Sequence, residues 1–416
     1  MSAADNAIAV VLAIGEAEEL KPLTAARASA AVPFGGLYRT IDFALTNCLH
    51  SGLRRMLVLT QYMSHSLHKH LRDGWSVFNP EIGEFVTPVS PQMQAGRLGY
   101  SSATDALKQN AYILERNRGD VVAVVSGDYV YRMDYAAMIE FHRREGAGVT
   151  VACLPPADPQ RDPALPVLGV NDRDEIVSYH HPSVAGELTT HPASMGIYIF
   201  NKEVLLKILA MPIVTGSSTL DIGETLLPEL LGKTRLLAYR FGGSAGRVSQ
   251  DRYWRRMSSL DAYYQANMDL LHFESPLDLY QADWPIRTYQ PQSPPARTVP
   301  GKSCNEGIFV NSIVAGGTVI AGGGVSHSIL FPHVRVDDAA TVDNSILFSS
   351  VQVGEGARLR NCIVDKYVRI PPGTQIGFDT EADRRHFVVT ERGIVVVPKG
   401  YAFDATQTRG RVTALA

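Results

Sequence analysis

The chain has 416 residues, 45% of them hydrophobic and 19% charged, and a formal net charge of −3. That length predicts two or three domains with sizeable cores, and the weakly acidic balance argues against nucleic acid or an anionic membrane as partner. No run approaches ~18 uninterrupted apolar residues, so no membrane span is expected.

The N-terminal MSAADNAIAVVLAIGE has no basic region before its short apolar run and turns acidic after it. It does not read as a secretory leader, and a cytoplasmic location is expected. Ala7–Ala13 reads as a buried strand, Ile41–Ser51 as a helix and Arg55–Thr60 as the next strand. Ser64–Leu71 and Asp105–Glu115 read as helices, Asp120–Ser126 as a strand, Ala136–Glu145 as a helix and Gly148–Cys153 as a strand. Continuous β-branched runs separated by helical patterns predict an α/β doubly wound, mostly parallel, Rossmann-like sheet. Ligands of such sheets sit at the carboxyl ends of strands, which directs attention to the segments after Ala13 and after Ser126. Cys48, Cys153, Cys304 and Cys362 form no C-x-x-C pair and are expected as free thiols.

Residues 281–305 are rich in proline, which removes a backbone donor and fixes φ, and predict an extended linker after a first domain of residues 1–280. From 306 to 416 the texture changes. Short apolar triplets such as IFV, VIA and CIV recur about every six residues between glycines and turn formers. That is the hexapeptide pattern of a left-handed parallel β-helix; a β-sandwich with glycine turns is the competing reading.

Three segments carry a family resemblance. They are Val32–Ser51 (VPFGGLYRTIDFALTNCLHS), Gly127–Tyr135 (GDYVYRMDY) with Ser194–Tyr198 (SMGIY), and Tyr253–Asn267 (YWRRMSSLDAYYQAN) followed by LDLYQADWPIRTY. They closely resemble the ADP-glucose pyrophosphorylase (glucose-1-phosphate adenylyltransferase) family, and with the β-helix texture the resemblance runs over nearly the whole chain. It implies a nucleotidyltransferase domain joined to a β-helix, a tetrameric assembly, and the joining of ATP and glucose-1-phosphate into ADP-glucose and pyrophosphate. The family places a glycine-rich loop, an arginine, a lysine and Mg²⁺ on two aspartates around an in-line attack. Such a reaction depends on positioning and charge neutralisation.

Measured against that pattern, the reacting positions have changed. Of the loop glycines only Gly15 remains in sequence; Ile14 and Ala17 replace the others, Glu19 stands at the arginine position and Ser29 at the lysine position. Glu16 and Glu18 add carboxylates. A carboxylate ~4 Å from a phosphate charge costs about 1 kcal/mol in water and about 4 at an effective dielectric of 20. Asp128 matches the first metal aspartate, but Arg256 replaces the second, so no cofactor is expected in this chain although the family uses Mg²⁺. Asp128 reads either as a turn residue or as a partner of Arg256. Ser194, Tyr198, Asp221 and Trp254 match sugar-phosphate positions. The family's Glu-Lys-Pro is replaced around His180 and His181, which read as solvated or as partial stand-ins for the lysine. Ser102 replaces a glycine that packs on the nucleotide. Arg39 and Arg54 survive as effector or anion candidates, with intersubunit ion pairing as the alternative, and Val388–Thr390 replaces a C-terminal arginine pair.

These losses lead to three functional expectations. The first is a catalytically impaired regulatory subunit in a homo- or hetero-tetramer with a catalytic subunit. The second is an active adenylyltransferase with an altered site. The third is a sugar-phosphate-binding sensor.

Overall fold

The computed structural model describes Ala4 and residues 6–92, 99–156, 165–181, 190–212, 222–243, 245–248 and 252–403. The apolar run Ala7–Ala13 forms strand β1, flanked in parallel by β2 (Arg55–Thr60) and by the strand at Val121–Ser126. β3 (Phe85–Val89) extends the sheet beyond β2. Numbering on, Val121–Ser126 is β4, Tyr129–Tyr131 β5 and Val149–Leu154 β6. They are followed by β7 (Val167–Val170), β8 (Ile176–His180), β9 (Ala193–Asn201), β10 (Leu236–Arg240) and β11 (Trp254–Arg256). Across the sheet the order is β3-β2-β1-β4-β9-β6-β10, with the β7–β8 hairpin attached at the start of β9. The order reverses between β1 and β4, and a crevice at their carboxyl ends follows from that reversal.

Along the run from β3 to β10, β9 is the exception to the parallel expectation, because it runs antiparallel to both β4 and β6. A parallel return needs a crossover of a dozen or more residues, usually helical. Between β6 and β9 the described chain instead makes the β7–β8 hairpin.

The helices depart from expectation in two places. α1 (Thr40–His50) is as expected within a residue. α2 (His65–Trp75) runs four residues beyond Leu71, because its last turn is held by Trp75 Nε1 donating to the buried Asp42 Oδ1 at 2.9 Å. The helix expected over 105–115 is two, α3 (Ala103–Gln109) and α4 (Ala111–Arg116). They break at Asn110, whose amide donates to Ala106 O and Tyr100 Oη, since a short polar side chain competes with the backbone ladder. α5 (Tyr135–Arg144), α6 (Lys202–Ala210), α7 (Ile222–Leu230) and α8 (Leu260–Met268) complete the set used below.

The C-terminal domain is the left-handed parallel β-helix. Arg335 pairs with Gln352 and Gln352 with Arg369, so a coil takes 17 residues, close to three hexapeptides. Asn311, His327, Asn344 and Asn361 stack at one corner with positive φ, a backbone region that asparagine tolerates better than most residues. The first strand of this stack, Arg297–Val299, lies inside the segment expected as linker. Nor is the rest of that segment a free spacer. Trp284, Ile286 and Thr288 are buried, Arg287 N donates to Thr46 Oγ1, and Thr288 Oγ1 donates to Asp42 Oδ2 at 2.6 Å. The strap is stapled along α1.

The two domains share one core. Leu23, Phe34, Phe43 and Tyr263 pack with Ile329, Phe331, Ile346 and Phe348 of the β-helix. Across this seam Arg27 Nη2 donates to Asp365 Oδ1 at 2.8 Å, with both side chains almost fully buried. Among the described residues no helix is long and apolar enough to cross a membrane.

Candidate functional site

A cavity of about 360 Å³ opens at the carboxyl ends of β1 and β4. Gly15, Ala17, Glu19, Ser29, Asp128, Ser194, Tyr198 and Arg256 all border it. Residues scattered over 240 positions of sequence therefore meet where the strand order predicts a ligand crevice.

The loop after β1 keeps its turn without its glycines. Ile14 is buried in the core cluster that also holds Val10 and Tyr100, and it lines the cavity. Ala17 sits in the left-handed region (φ 49°, ψ 60°) and leads into a 3₁₀ turn at Glu18–Leu20. Thr24 Oγ1 holds the turn by donating to Ala17 O. A Cβ in that region costs about 1 kcal/mol, so the backbone retains a glycine's conformation at a stability cost. The acidity of the loop, by contrast, is weaker at the cavity than the sequence implies. Only Glu19 borders it; Glu16 and Glu18 face solvent beside Lys21, whose Nζ lies 3.9 and 2.5 Å from their carboxylates. The Lys21 hydrogen bond holds the Glu18 carboxyl below the usual range, and the Glu16 carboxyl, hydrogen-bonded to Glu18, is pushed up. Sequence reading overlooked Lys21 because neutralisation depends on how the turn folds back.

β11 carries Arg256 opposite Tyr129, one residue beyond Asp128. Asp128 Oδ1 accepts from Ser126 Oγ. Gly196 lets β9 approach Tyr129 closely, since a Cβ there would meet the ring at 3.3 Å and φ is +69°. Tyr129 in turn stacks edge-on over Trp254. Trp254 does not border the cavity. It is 1% exposed beneath Tyr129 and supports the wall from behind. Ser194 Oγ and Tyr198 Oη are 3.3 Å apart on the cavity floor. Asp221 lies outside the described residues. Ser102 is not at the cavity; it caps α3 by accepting from Asp105 N.

Sequence reasoning missed a charged residue of this cavity. Glu224 in the first turn of α7 borders the cavity, and its Oε1 lies 3.3 Å from His181 Nε2. His180 turns away to Ser178 Oγ. Among the described residues no group of three or more His, Cys, Asp or Glu is arranged to hold a metal ion.

The N-terminal domain matches the nucleotidyl transferase family model over residues 8–272, and residues 294–397 match the GlmU-like C-terminal hexapeptide model. Glucose-1-phosphate adenylyltransferase 2 of Vibrio parahaemolyticus is 52% identical over 404 residues, covering 96% of this chain and all of that protein. The protein of the same name in Vibrio cholerae is 50% identical over 404 residues, covering 96% and 99%. Glucose-1-phosphate adenylyltransferase of Dechloromonas aromatica is 39% identical over 400 residues, covering 94% and 90%. The chain belongs to the glucose-1-phosphate adenylyltransferase family.

Within that family frame, the two arginines expected to act together are far apart. Arg39 precedes α1 and Arg54 follows it, a separation of about 16 Å along an 11-residue helix. Arg39 Nη1 donates to Ser66 O and stands near Arg27 and Lys366 at the domain seam. Burial, then the charges of Arg39 and Arg27, pushes the Lys366 ammonium down to about 8. Val388–Thr390, at the expected C-terminal arginine pair, instead ties the β-helix to α8 through Thr390 Oγ1 and Asp261 Oδ1.

Proposed function

We propose that this glucose-1-phosphate adenylyltransferase-family chain contributes little or no adenylyl transfer of its own and serves as a modulatory subunit, in a tetramer with a catalytic member, in glycogen or starch synthesis. The observation that carries this reading is convergence: Glu19, Ser29 and Arg256 border the same cavity as Asp128. In-line transfer to a sugar phosphate needs cations arranged around developing phosphate charge. Here one carboxylate and one hydroxyl replace two cations, and losing a single such stabiliser typically costs roughly 10²–10³ in rate. Mg²⁺ binds through one or two carboxylates together with substrate phosphates. A guanidinium bordering the same cavity as Asp128 opposes that arrangement, so the donor set does not fit the family's two-aspartate metal. Ser194 and Tyr198 leave a polar floor suited to a sugar, and Arg39 beside Arg27 and Lys366 offers positive charge for an anionic effector.

A second reading, an active adenylyltransferase with an altered site, is favoured by the full-length identity to relatives named for that activity. One experiment separates the two. Pyrophosphate release from ATP, Mg²⁺ and glucose-1-phosphate is measured for the pure chain and for mixtures with an active homologue. Little turnover alone, with a changed rate or effector response in the mixture, supports the modulatory role. Turnover at ordinary enzyme speed by the pure chain sinks it. An inert chain that neither assembles with nor alters its homologue points instead to a sugar-phosphate sensor.

A further inference from the structure

The cavity at the carboxyl ends of β1 and β4 is bordered by a carboxylate that the fold leaves short of partners. The Glu224 side chain is only 15% exposed. Its Oε1 lies 3.3 Å from Nε2 of His181, an imidazole that is itself mostly exposed, and no other contact to this carboxylate is found among the described residues. Buried carboxylates elsewhere in the chain are better supplied. Asp42 accepts from Arg39 N, Trp75 Nε1 and Thr288 Oγ1, and Asp365 accepts from Arg27 Nη2 and Lys366 N. A carboxylate offers about four acceptor sites, so Glu224 retains capacity where it borders the cavity. Its helix fixes its place. Ile222 of the same turn is buried in the core and also borders the cavity, and Thr225 Oγ1 is hydrogen-bonded to Thr104 Oγ1 of α3.

We propose that Glu224 accepts a ring hydroxyl of a hexose 1-phosphate and thereby sets which hexose the cavity takes. A carboxylate only accepts, so its ligand must bring donors. A sugar ring brings several hydroxyls, whereas a phosphate dianion brings none and is repelled. Glu224 therefore marks the sugar end of the cavity, and the phosphate lies away from it. A site built to hydrogen-bond a ligand hydroxyl rejects the analogue lacking it far more strongly than an apolar pocket rejects a changed methylene. The inference rests on the reading that the floor of Ser194 and Tyr198 receives a sugar, and it needs no turnover by this chain.

Glucose 1-phosphate and its set of monodeoxy analogues are the probes, titrated calorimetrically into the full chain without nucleotide or Mg²⁺. At least one analogue is expected to bind the unaltered chain roughly tenfold more weakly than glucose 1-phosphate, the scale of one lost hydrogen bond to a charged group. Glu224→Ala should weaken glucose 1-phosphate by a similar factor and abolish the extra loss for that analogue, since the hydroxyl then has no partner to lose. Glu224→Gln keeps an acceptor and should retain part of the difference. A merely structural role for Glu224 would weaken every analogue in parallel and leave their ratios unchanged. Unchanged ratios in Glu224→Ala, or undiminished affinity for glucose 1-phosphate, overturn the proposal while the sugar-binding floor stands. No saturable binding to the unaltered chain overturns both.

Discussion

Replacing Asp365 by Asn isolates what the ion pair across the domain seam contributes. Asp365 Oδ1 accepts from Arg27 Nη2 at 2.8 Å and from its neighbour Lys366 N at 2.6 Å. The two side chains are 5% and 1% exposed, so water cannot replace either partner. Asparagine keeps the volume and one acceptor but leaves the guanidinium buried without a counter-charge, next to Lys366. Breaking a buried pair from one side costs about 3–5 kcal/mol. Arg27 retains its bond to Leu23 O and its position over the Phe348 ring in the variant, so the guanidinium is not left wholly without partners and the loss falls at the lower end of that range. A net loss of about 3 kcal/mol is therefore expected. Removing both charges in Arg27→Met/Asp365→Leu is expected to cost less than the single change, since no uncompensated charge remains. Urea unfolding followed by the fluorescence of Trp75, Trp254 and Trp284 measures both variants. A loss below about 1 kcal/mol for Asp365→Asn, or a double variant no better than the single, would refute the reasoning.

Four further outcomes are expected. Lys366 has its pKa lowered to about 8 by burial and by Arg39 and Arg27. The unfolded chain therefore binds more protons than the folded one between pH 8 and about 10.4, so this lysine destabilises at neutral pH and the penalty fades as pH rises through that window. Lys366→Met should raise the unfolding temperature more at pH 7 than at pH 10; equal gains at both would contradict this. Ala17→Gly should stabilise the chain by about 0.5–1 kcal/mol by relieving the positive-φ strain, and a loss of stability on urea unfolding would count against it. Gly196→Ala should destabilise by about 1–2 kcal/mol, because both its backbone and the Tyr129 ring oppose a Cβ; an unchanged urea midpoint would show that the wall can yield. Of the four cysteines only Cys304 is exposed, while burial pushes the Cys153 and Cys362 thiols up to about 12. A thiol reagent should modify one cysteine per native chain and four after unfolding; more than one fast thiol would break the burial assignment.

Much of the fold was legible in residue order. AIAVVLA and DVVAVVS are apolar on both faces, which only a covered sheet accommodates, and the triplets after residue 306 repeat at the spacing of a β-helix face. The two helices between 103 and 116 read as one in the sequence because Asn110 is neither glycine nor proline, and its disruptive bonds run partly to Tyr100, which sequence distance hides. Trp284–Thr288 read as spacer because the prolines around them signal extended chain, whereas their burial depends on partners on α1. Glu19, Ser29, Asp128 and Arg256 were found by comparison with a motif. Glu224 had no such signal, because it faces the cavity only once α7 is docked.

By itself the sequence determined the class of each domain, their order, and the substitutions around the first strand. Those rest on local periodicity and on residue identity, which the chain carries without folding. Only the tertiary structure decided which charges share a space. It sent Glu16 and Glu18 out to Lys21 and kept Glu19 at the cavity, buried Trp254 behind the wall, and set Arg39 and Arg54 at opposite ends of one helix. Coulomb energies fall with distance and rise with burial, and neither quantity is written in the order of residues.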